Sequence, residues 1–239
     1  MDWRAARVTS KRDETPRVRS IVLEHPTWAG HMAGQHVDIR LTAEDGYQAQ
    51  RSYSIASAPE DDHLMLTVER LEDGEVSPYL FDELAPGDEL EMRGPIGRFF
   101  VWGAGMDGPL LMIAGGSGVV PFRAMLRHRA GQNSDAPARL LYSSRTIEDV
   151  IYREELTGFG DSEGVEVHLA LTRAQPDGWH GFTRRVDPEI LTDVAWAPGE
   201  QATTYVCGPT GFVETVANSL VDLGHNPASI RTERFGPTG

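Results

Sequence analysis

Three short segments carry residues able to do chemistry. The first is Ala114-Gly115-Gly116-Ser117-Gly118-Val119-Val120-Pro121, which closes an apolar run and opens a helix-forming stretch. Glycines there let the backbone approach a phosphate, and a helix N-terminus presents N–H groups at a positive dipole end. No Gly-Lys-Ser/Thr follows, so this is not a P-loop. Pro121 stands where the usual dinucleotide fingerprint has its third glycine. The segment reads either as a phosphate cradle, with Ser117 a binder rather than a nucleophile, or as a tight strand–helix turn that binds nothing.

The second segment is Arg51-Ser52-Tyr53-Ser54. An Arg can clamp a diphosphate, a Tyr can stack on a ring and a Ser can hydrogen-bond it. Four such residues are equally an exposed strand of mixed composition. The third is Gly74-Glu75-Val76-Ser77 ahead of Pro78, either a second phosphate-holding turn or a plainly capped helix start. The eight histidines show no metal-ligand spacing; His25, His31 and His36 lie close in sequence but in loop and strand settings, and read as surface residues. No metal is expected.

Composition narrows the class. The single cysteine, Cys207, excludes an internal disulfide, a four-thiolate iron–sulfur site and a multi-Cys zinc site. A net charge of −14 speaks against sequence-independent nucleic-acid binding, which relies on Lys and Arg against phosphates. The N-terminal stretch is polar and lacks an apolar signal core. The longest apolar run, Pro109 to Phe122, is too short to span a bilayer, so a soluble, cytoplasmic protein is expected. The charge is uneven: six basic residues against three acids in residues 1–20, one Arg against twelve acids in residues 60–91.

The elements that must position these segments fall into two rhythms. Val18–Glu24, Gln35–Leu41, Arg51–Ala56, Leu64–Arg70 and Asp88–Arg93 read as short strands separated by turn signals such as Asp73-Gly74 and Pro86-Gly87-Asp88, the pattern of an antiparallel barrel. A helix with Ser77 as N-cap interrupts them. After the glycine-rich run Gly103 to Gly108, strands alternate with helices. The strands are Pro109–Gly115, Arg139–Ser143, Val165–Leu171 and Thr203–Cys207; the helices are Pro121–Ala130, Glu148–Leu156 and Phe212–Leu223. Such alternation makes a parallel sheet, which binds ligands at the carboxyl ends of its strands. The expected domains are residues 1–105 and 106–239.

In order and identity these segments resemble the ferredoxin–NADP reductase superfamily in its stand-alone two-domain form. Arg51-Ser52-Tyr53-Ser54 is similar to its flavin motif, Gly74–Ser77 to its flavin diphosphate loop, and Gly94-Pro95-Ile96-Gly97-Arg98-Phe99 to its domain-closing turn. Ala114–Pro121 is similar to its nicotinamide-cofactor diphosphate loop, Cys207-Gly208-Pro209 to its motif beside the nicotinamide, and Glu233-Arg234-Phe235 to its near-terminal segment. The resemblance implies a β + α/β fold: a six-stranded antiparallel Greek-key FAD barrel, then a parallel-sheet NADP-binding α/β domain. It implies that Arg51 contacts the flavin diphosphate, Tyr53 packs on the isoalloxazine, Ser54 sits near N5, and Val68 and Arg70 line the flavin. Gly115, Gly116, Ser117, Gly118, Val119 and Pro121 would cradle the second diphosphate, with Gly208 and Pro209 beside the nicotinamide. Cys207 would pack near C4, Glu233 would be the near-terminal acid, and Phe235 would cover the flavin face. Each of the last three also reads as ordinary packing or surface. The chain departs from many relatives in running on through Gly236-Pro237-Thr238-Gly239.

The second strand of the α/β domain ends Leu141-Tyr142-Ser143-Ser144-Arg145, with no acid until Glu148 to hold two ribose hydroxyls. Ser144, Arg145, Arg173 and Arg184 or Arg185 suit a 2′-phosphate instead, which favours NADPH over NADH; each Arg alone also reads as a surface charge. The expected function is hydride transfer from the nicotinamide to FAD, then single electrons to a separate carrier such as ferredoxin, flavodoxin or an oxygenase component. Alternatives are a flavin or ferric reductase acting on a small acceptor, and a non-catalytic electron-transfer subunit of a larger complex. A monomer is expected, with neither nucleic acid nor membrane as partner. The basic residues Arg4, Arg7, Lys11, Arg12, Arg17 and Arg19 are either the surface that meets an acidic carrier or a solvated strand.

Overall fold

A computed structural model describes residues 2–236. The chain forms two compact units. The first runs to Gly103 and includes Arg123–Gly131; the second holds Ala104–Phe122 and the chain from Gln132 onward.

The first unit is a six-stranded antiparallel sheet built from β1 (Arg4–Thr15), β2 (Val18–Glu24), β3 (His36–Thr42), β4 (Gln48–Ser54), β5 (Leu64–Glu69) and β6 (Glu89–Ile96), in the order β4-β3-β6-β1-β2-β5. A bridge between Ile55 and Leu66 ties the two ends of that order together. Alternation sends Ala6, Ile21, Val37, Ile39, Leu66 and Val68 into one apolar core. Strand β1 is additional to the five strands read from the sequence. The helix expected from Ser77 is a single π-turn, Tyr79–Glu83, and Ser77 does not cap it: the hydroxyl accepts the Leu71 N–H at 3.1 Å. Lys11 Nζ donates to the Phe81 and Leu84 carbonyls, and Arg19 to that of Phe81 at 2.5 Å, so cations close the C-terminal end of the turn. Arg12 pairs with Glu14, Arg19 also with Asp13, and Arg4 donates to Thr27. Four of the six N-terminal cations are thus occupied within the chain, which favours the solvated strand over a docking patch.

The second unit is a five-stranded parallel sheet of β7 (Leu110–Gly115), β8 (Ala138–Ser144), β9 (Val165–Leu171), β10 (Thr203–Pro209) and β11 (Ile230–Phe235), in the order β11-β10-β7-β8-β9. Helices α1 (Val120–Gly131), α2 (Arg153–Gly160), α3 (Pro188–Val194) and α4 (Thr210–Asp222) connect the strands. Leu111, Ile113, Leu141, Ile190, Val206 and Val213 form its core. Helix α2 begins later than Glu148: Asp149 N–H bonds back to Thr146, and Tyr152 stands at φ 59°, a left-handed turn that delays the helix. The C-terminal part of α1 belongs to the first unit, where Arg123 donates to the Ala56 carbonyl at 2.8 Å and Arg127 pairs with Asp61 at 2.5 Å. From β7 the chain winds outward through β8 and β9, then returns to place β10 on the other side of β7. That reversal puts the topological switch point at the carboxyl ends of β7 and β10, the position where open parallel sheets bind ligands.

Candidate functional site

In the first unit, β4 carries Ala49, Arg51 and Tyr53 on one face, opposite Leu41, Ile39 and Val37 of β3. Tyr53 packs half-buried against the barrel core, and burial pushes its phenol well up. Ser52 and Ser54 share the other face. The Ser52 hydroxyl is tied to buried Asp38 at 2.6 Å, which also receives Arg93 at 2.6 Å, so Ser52 offers a ligand main chain rather than hydroxyl. Ser54 pairs with His36 across β3. Arg51 donates to the Gln50 carbonyl at 2.7 Å and to Glu75 at 2.5 Å, and Glu75 also accepts the Tyr47 hydroxyl at 2.5 Å.

The Gly74–Ser77 loop lies beside this pair. A Cβ on Gly74 would fall 2.8 Å from Ser77 Oγ and 3.1 Å from the Leu71 carbonyl oxygen, so a side chain there would crowd the Ser77 hydroxyl. Val76 and Ser77 turn their side chains inward, while Glu75 faces outward to Arg51 and Tyr47. Val68 is fully buried in the barrel core, so its side chain is not available to line a flavin; Arg70 is paired with Asp82 at 2.8 Å. One cation, one half-buried aromatic ring and a glycine loop fit a flavin dinucleotide.

In the second unit, β7 ends at Gly115 and a short 3₁₀ turn, Gly116–Val119, leads into α1 with Pro121 in its first turn. Gly116 has φ +55° and open space where a side chain would stand. Gly118 is the reverse: a Cβ there would meet the Cys207 carbonyl oxygen at 2.1 Å. The sequence reading missed Phe212. Its ring would stand 2.9 Å from a Cβ on Gly115 and 2.8 Å from one on Gly208, so it seals the floor under both glycines. Its signal was present but was absorbed into the apolar face of α4. Open space above Gly116 and packed backbone below Gly118 fit a diphosphate held by main-chain N–H groups.

Cys207 is buried in β10 between Ala114 and Glu233, and burial pushes its thiol far up, so it is a neutral, packed side chain rather than a thiolate. Glu233 is half-buried on β11, and burial raises its carboxyl to about 7. Phe235, half-buried, pairs with exposed Pro209 at the end of the same ladder. Ser144 is buried, and its carbonyl accepts the Thr172 N–H at 2.9 Å. One residue on, the Arg145 carbonyl accepts the Arg173 N–H at 2.9 Å, which sets these two exposed arginines side by side at the ends of β8 and β9. Arg184 is paired with Asp187 at 2.5 Å and Glu189 at 2.8 Å, contacts about as exposed as that of Arg51 with Glu75. Arg185 is exposed. Of the tail, Pro237, Thr238 and Gly239 lie outside the described residues.

Residues 5–101 match the family model of an oxidoreductase FAD-binding domain, and residues 112–218 that of an oxidoreductase NAD-binding domain. The chain is 33% identical over 238 residues to the ferredoxin–NADP reductase B of Sorangium cellulosum, covering 96% of each sequence. It belongs to the ferredoxin–NADP reductase superfamily. This reductase-family chain is also 29% identical to the NADH-cytochrome b5 reductase 1 of Kluyveromyces lactis, over 91% of the chain and 82% of the relative. Among solved structures, the FAD/NAD-binding domain of a Vibrio cholerae nitric oxide dioxygenase superposes with a TM-score of 0.87 at 26% identity, covering 99% of this chain and all of that one. The protein is therefore a flavoprotein oxidoreductase with a flavin barrel and a nucleotide-binding α/β sheet. Among the described residues no helix is long and apolar enough to cross a membrane, and no group of three or more His, Cys, Asp or Glu is placed to hold a metal.

Proposed function

We propose that the protein is an NADPH-preferring FAD reductase that passes electrons singly to a separate acceptor protein such as ferredoxin, flavodoxin or an oxygenase component. Residues 1–105 would serve FAD and residues 106–239 NADPH, in a cytoplasmic monomer. The observation that carries the nucleotide preference is the backbone-joined pair Arg145 and Arg173 at the ends of β8 and β9, with no acid ahead of Glu148.

FAD and the nicotinamide, when bound, supply the hydride and one-electron chemistry. The chain's own residues bind and orient. With FAD bound, Arg51 would neutralise the diphosphate, Tyr53 would pack on the ring and Ser54 would offer it a hydroxyl. The Gly115–Gly118 main chain holds the second diphosphate, while Arg145 and Arg173 hold the 2′-phosphate. Cys207 keeps its strand end apolar and dry. Glu233 can hold or release a proton near neutrality.

Cytochrome c reduction by the FAD-loaded chain, with and without added ferredoxin or flavodoxin, tests the acceptor. Turnover that rises with the carrier supports a protein acceptor. Full turnover with free flavin or ferric chelate, unchanged by any carrier, favours the direct reductase reading.

A further inference from the structure

We infer that Glu75 is an internal counter-anion that occupies Arg51 in place of the flavin diphosphate and thereby sets how tightly FAD is held. This rests on the proposed flavin reading and concerns a side chain that reading uses only for its main chain. Three elements converge: Tyr47 just ahead of β4, Arg51 within it, and Glu75 from the glycine loop. One oxygen of Glu75 accepts Arg51 at 2.5 Å and the other accepts the Tyr47 hydroxyl at 2.5 Å. Arg51 is further held by the Gln50 carbonyl at 2.7 Å. A carboxylate presents two oxygens to a guanidinium much as one edge of a phosphate does. Tyr47 and Arg51 both hold Glu75 in its charged form, lowering its carboxyl from the ordinary range.

Exposure makes the contact displaceable. Arg51 is 52% and Glu75 46% exposed. Ion pairs at such exposure shift an equilibrium by about fivefold at most. A diphosphate arriving at Arg51 must part the pair and then sit beside the carboxylate, in a stretch that also holds Glu72, Asp73 and Asp82. Tyr47 keeps hold of Glu75 when Arg51 turns to the phosphate, so the carboxylate remains nearby. The consequence runs opposite to that of an ordinary binding residue: neutralising Glu75 strengthens FAD binding.

The test is the FAD dissociation constant of the full chain, read from flavin fluorescence as the holoprotein is diluted. Glu75→Gln should tighten FAD by up to about fivefold, the range an exposed ion pair allows. Tyr47→Phe should tighten it in the same direction and by less, because the carboxylate loses its second anchor. In an Arg51→Gln background, Glu75→Gln should tighten FAD by less than it does with Arg51 present, because only the repulsion between carboxylate and diphosphate is left to relieve. Looser FAD binding in Glu75→Gln would make Glu75 a ligand of the flavin and overturn the inference. An equal gain with and without Arg51 would reduce it to bulk charge and overturn it too. A wild-type chain that takes up no FAD removes the flavin reading itself, and the inference with it.

Discussion

Gly118 and Cys207 are packed backbone to backbone: a Cβ on Gly118 would lie 2.1 Å from the Cys207 carbonyl oxygen. The turn that opens α1 therefore rests directly on the end of β10. Gly118→Ala must push the two apart, at a cost of about 1–3 kcal/mol in stability. The variant is expected to bind NADPH at least tenfold more weakly while its flavin absorbance stays that of the wild type. Calorimetric titration with NADPH and a melting curve measure both.

Arg51 is the one cation on the flavin face of β4, and its loss removes a charge-assisted contact worth roughly 1.5–3 kcal/mol. Arg51→Gln should raise the FAD dissociation constant about ten- to hundredfold. An unchanged constant would mean that the diphosphate is held elsewhere.

Arg145 and Arg173 are exposed and joined through their backbones at the ends of β8 and β9, and both are proposed to hold the 2′-phosphate. Replacing both with Gln should reduce the NADPH-over-NADH ratio of kcat/KM by on the order of a hundredfold, and each singly by about tenfold. Arg184→Gln is the comparison: its guanidinium is paired with Asp187 and Glu189, so it should move the ratio less than Arg145→Gln or Arg173→Gln alone.

Burial lifts the Glu233 carboxyl from its ordinary 4.5 to about 7. Between those values the folded chain keeps a proton that the unfolded chain has released, so folding takes up a proton. The contribution of Glu233 to stability thus falls as pH rises from 4.5 to about 7 and is level above that. Glu233→Gln should leave stability near that of the wild type at pH well below 4.5 and raise it at pH above 7. Denaturant unfolding at the two ends measures the difference; an equal offset at both contradicts the raised carboxyl.

Phe235 ends the ladder beside Pro209. As the proposed cover of the flavin ring, it should be needed for a normal flavin spectrum and hydride-transfer rate. Phe235→Ala with both unchanged would confine it to packing.

The glycine-bearing turns were legible because glycine there answers a local need: Gly118 has no room for a Cβ, and a Cβ on Gly74 would crowd the Ser77 hydroxyl. The buried strands β7 and β8 were legible as apolar runs. Strand β1 was not. Along its length only Ala6, Val8 and Thr15 turn fully inward, and its outward positions carry Arg, Lys and Asp, so it reads equally as a solvated strand or a basic docking patch and its place in the sheet does not show. Strand β11 has no fully buried residue, so no alternation betrays it, and α3 is only seven residues long, too short to display a helical period. At the site, charge alone did not say which arginines are paired. Arg184 looks like Arg173 in sequence, and only folding brings Asp187 and Glu189 onto it. The Tyr47–Glu75–Arg51 contact joins residues 24 or more positions apart across a loop, beyond any local pattern.

The most direct measurement is anaerobic rapid mixing of the FAD-loaded full chain with NADPH or NADH, following the loss of yellow flavin absorbance. The expected result is stoichiometric FAD uptake and bleaching by NADPH, with NADH requiring roughly tenfold or more higher concentration for the same rate. A chain that takes up no FAD, or a bound flavin that neither nucleotide bleaches, would contradict the reductase function; equal bleaching by both would contradict the role given to Arg145 and Arg173.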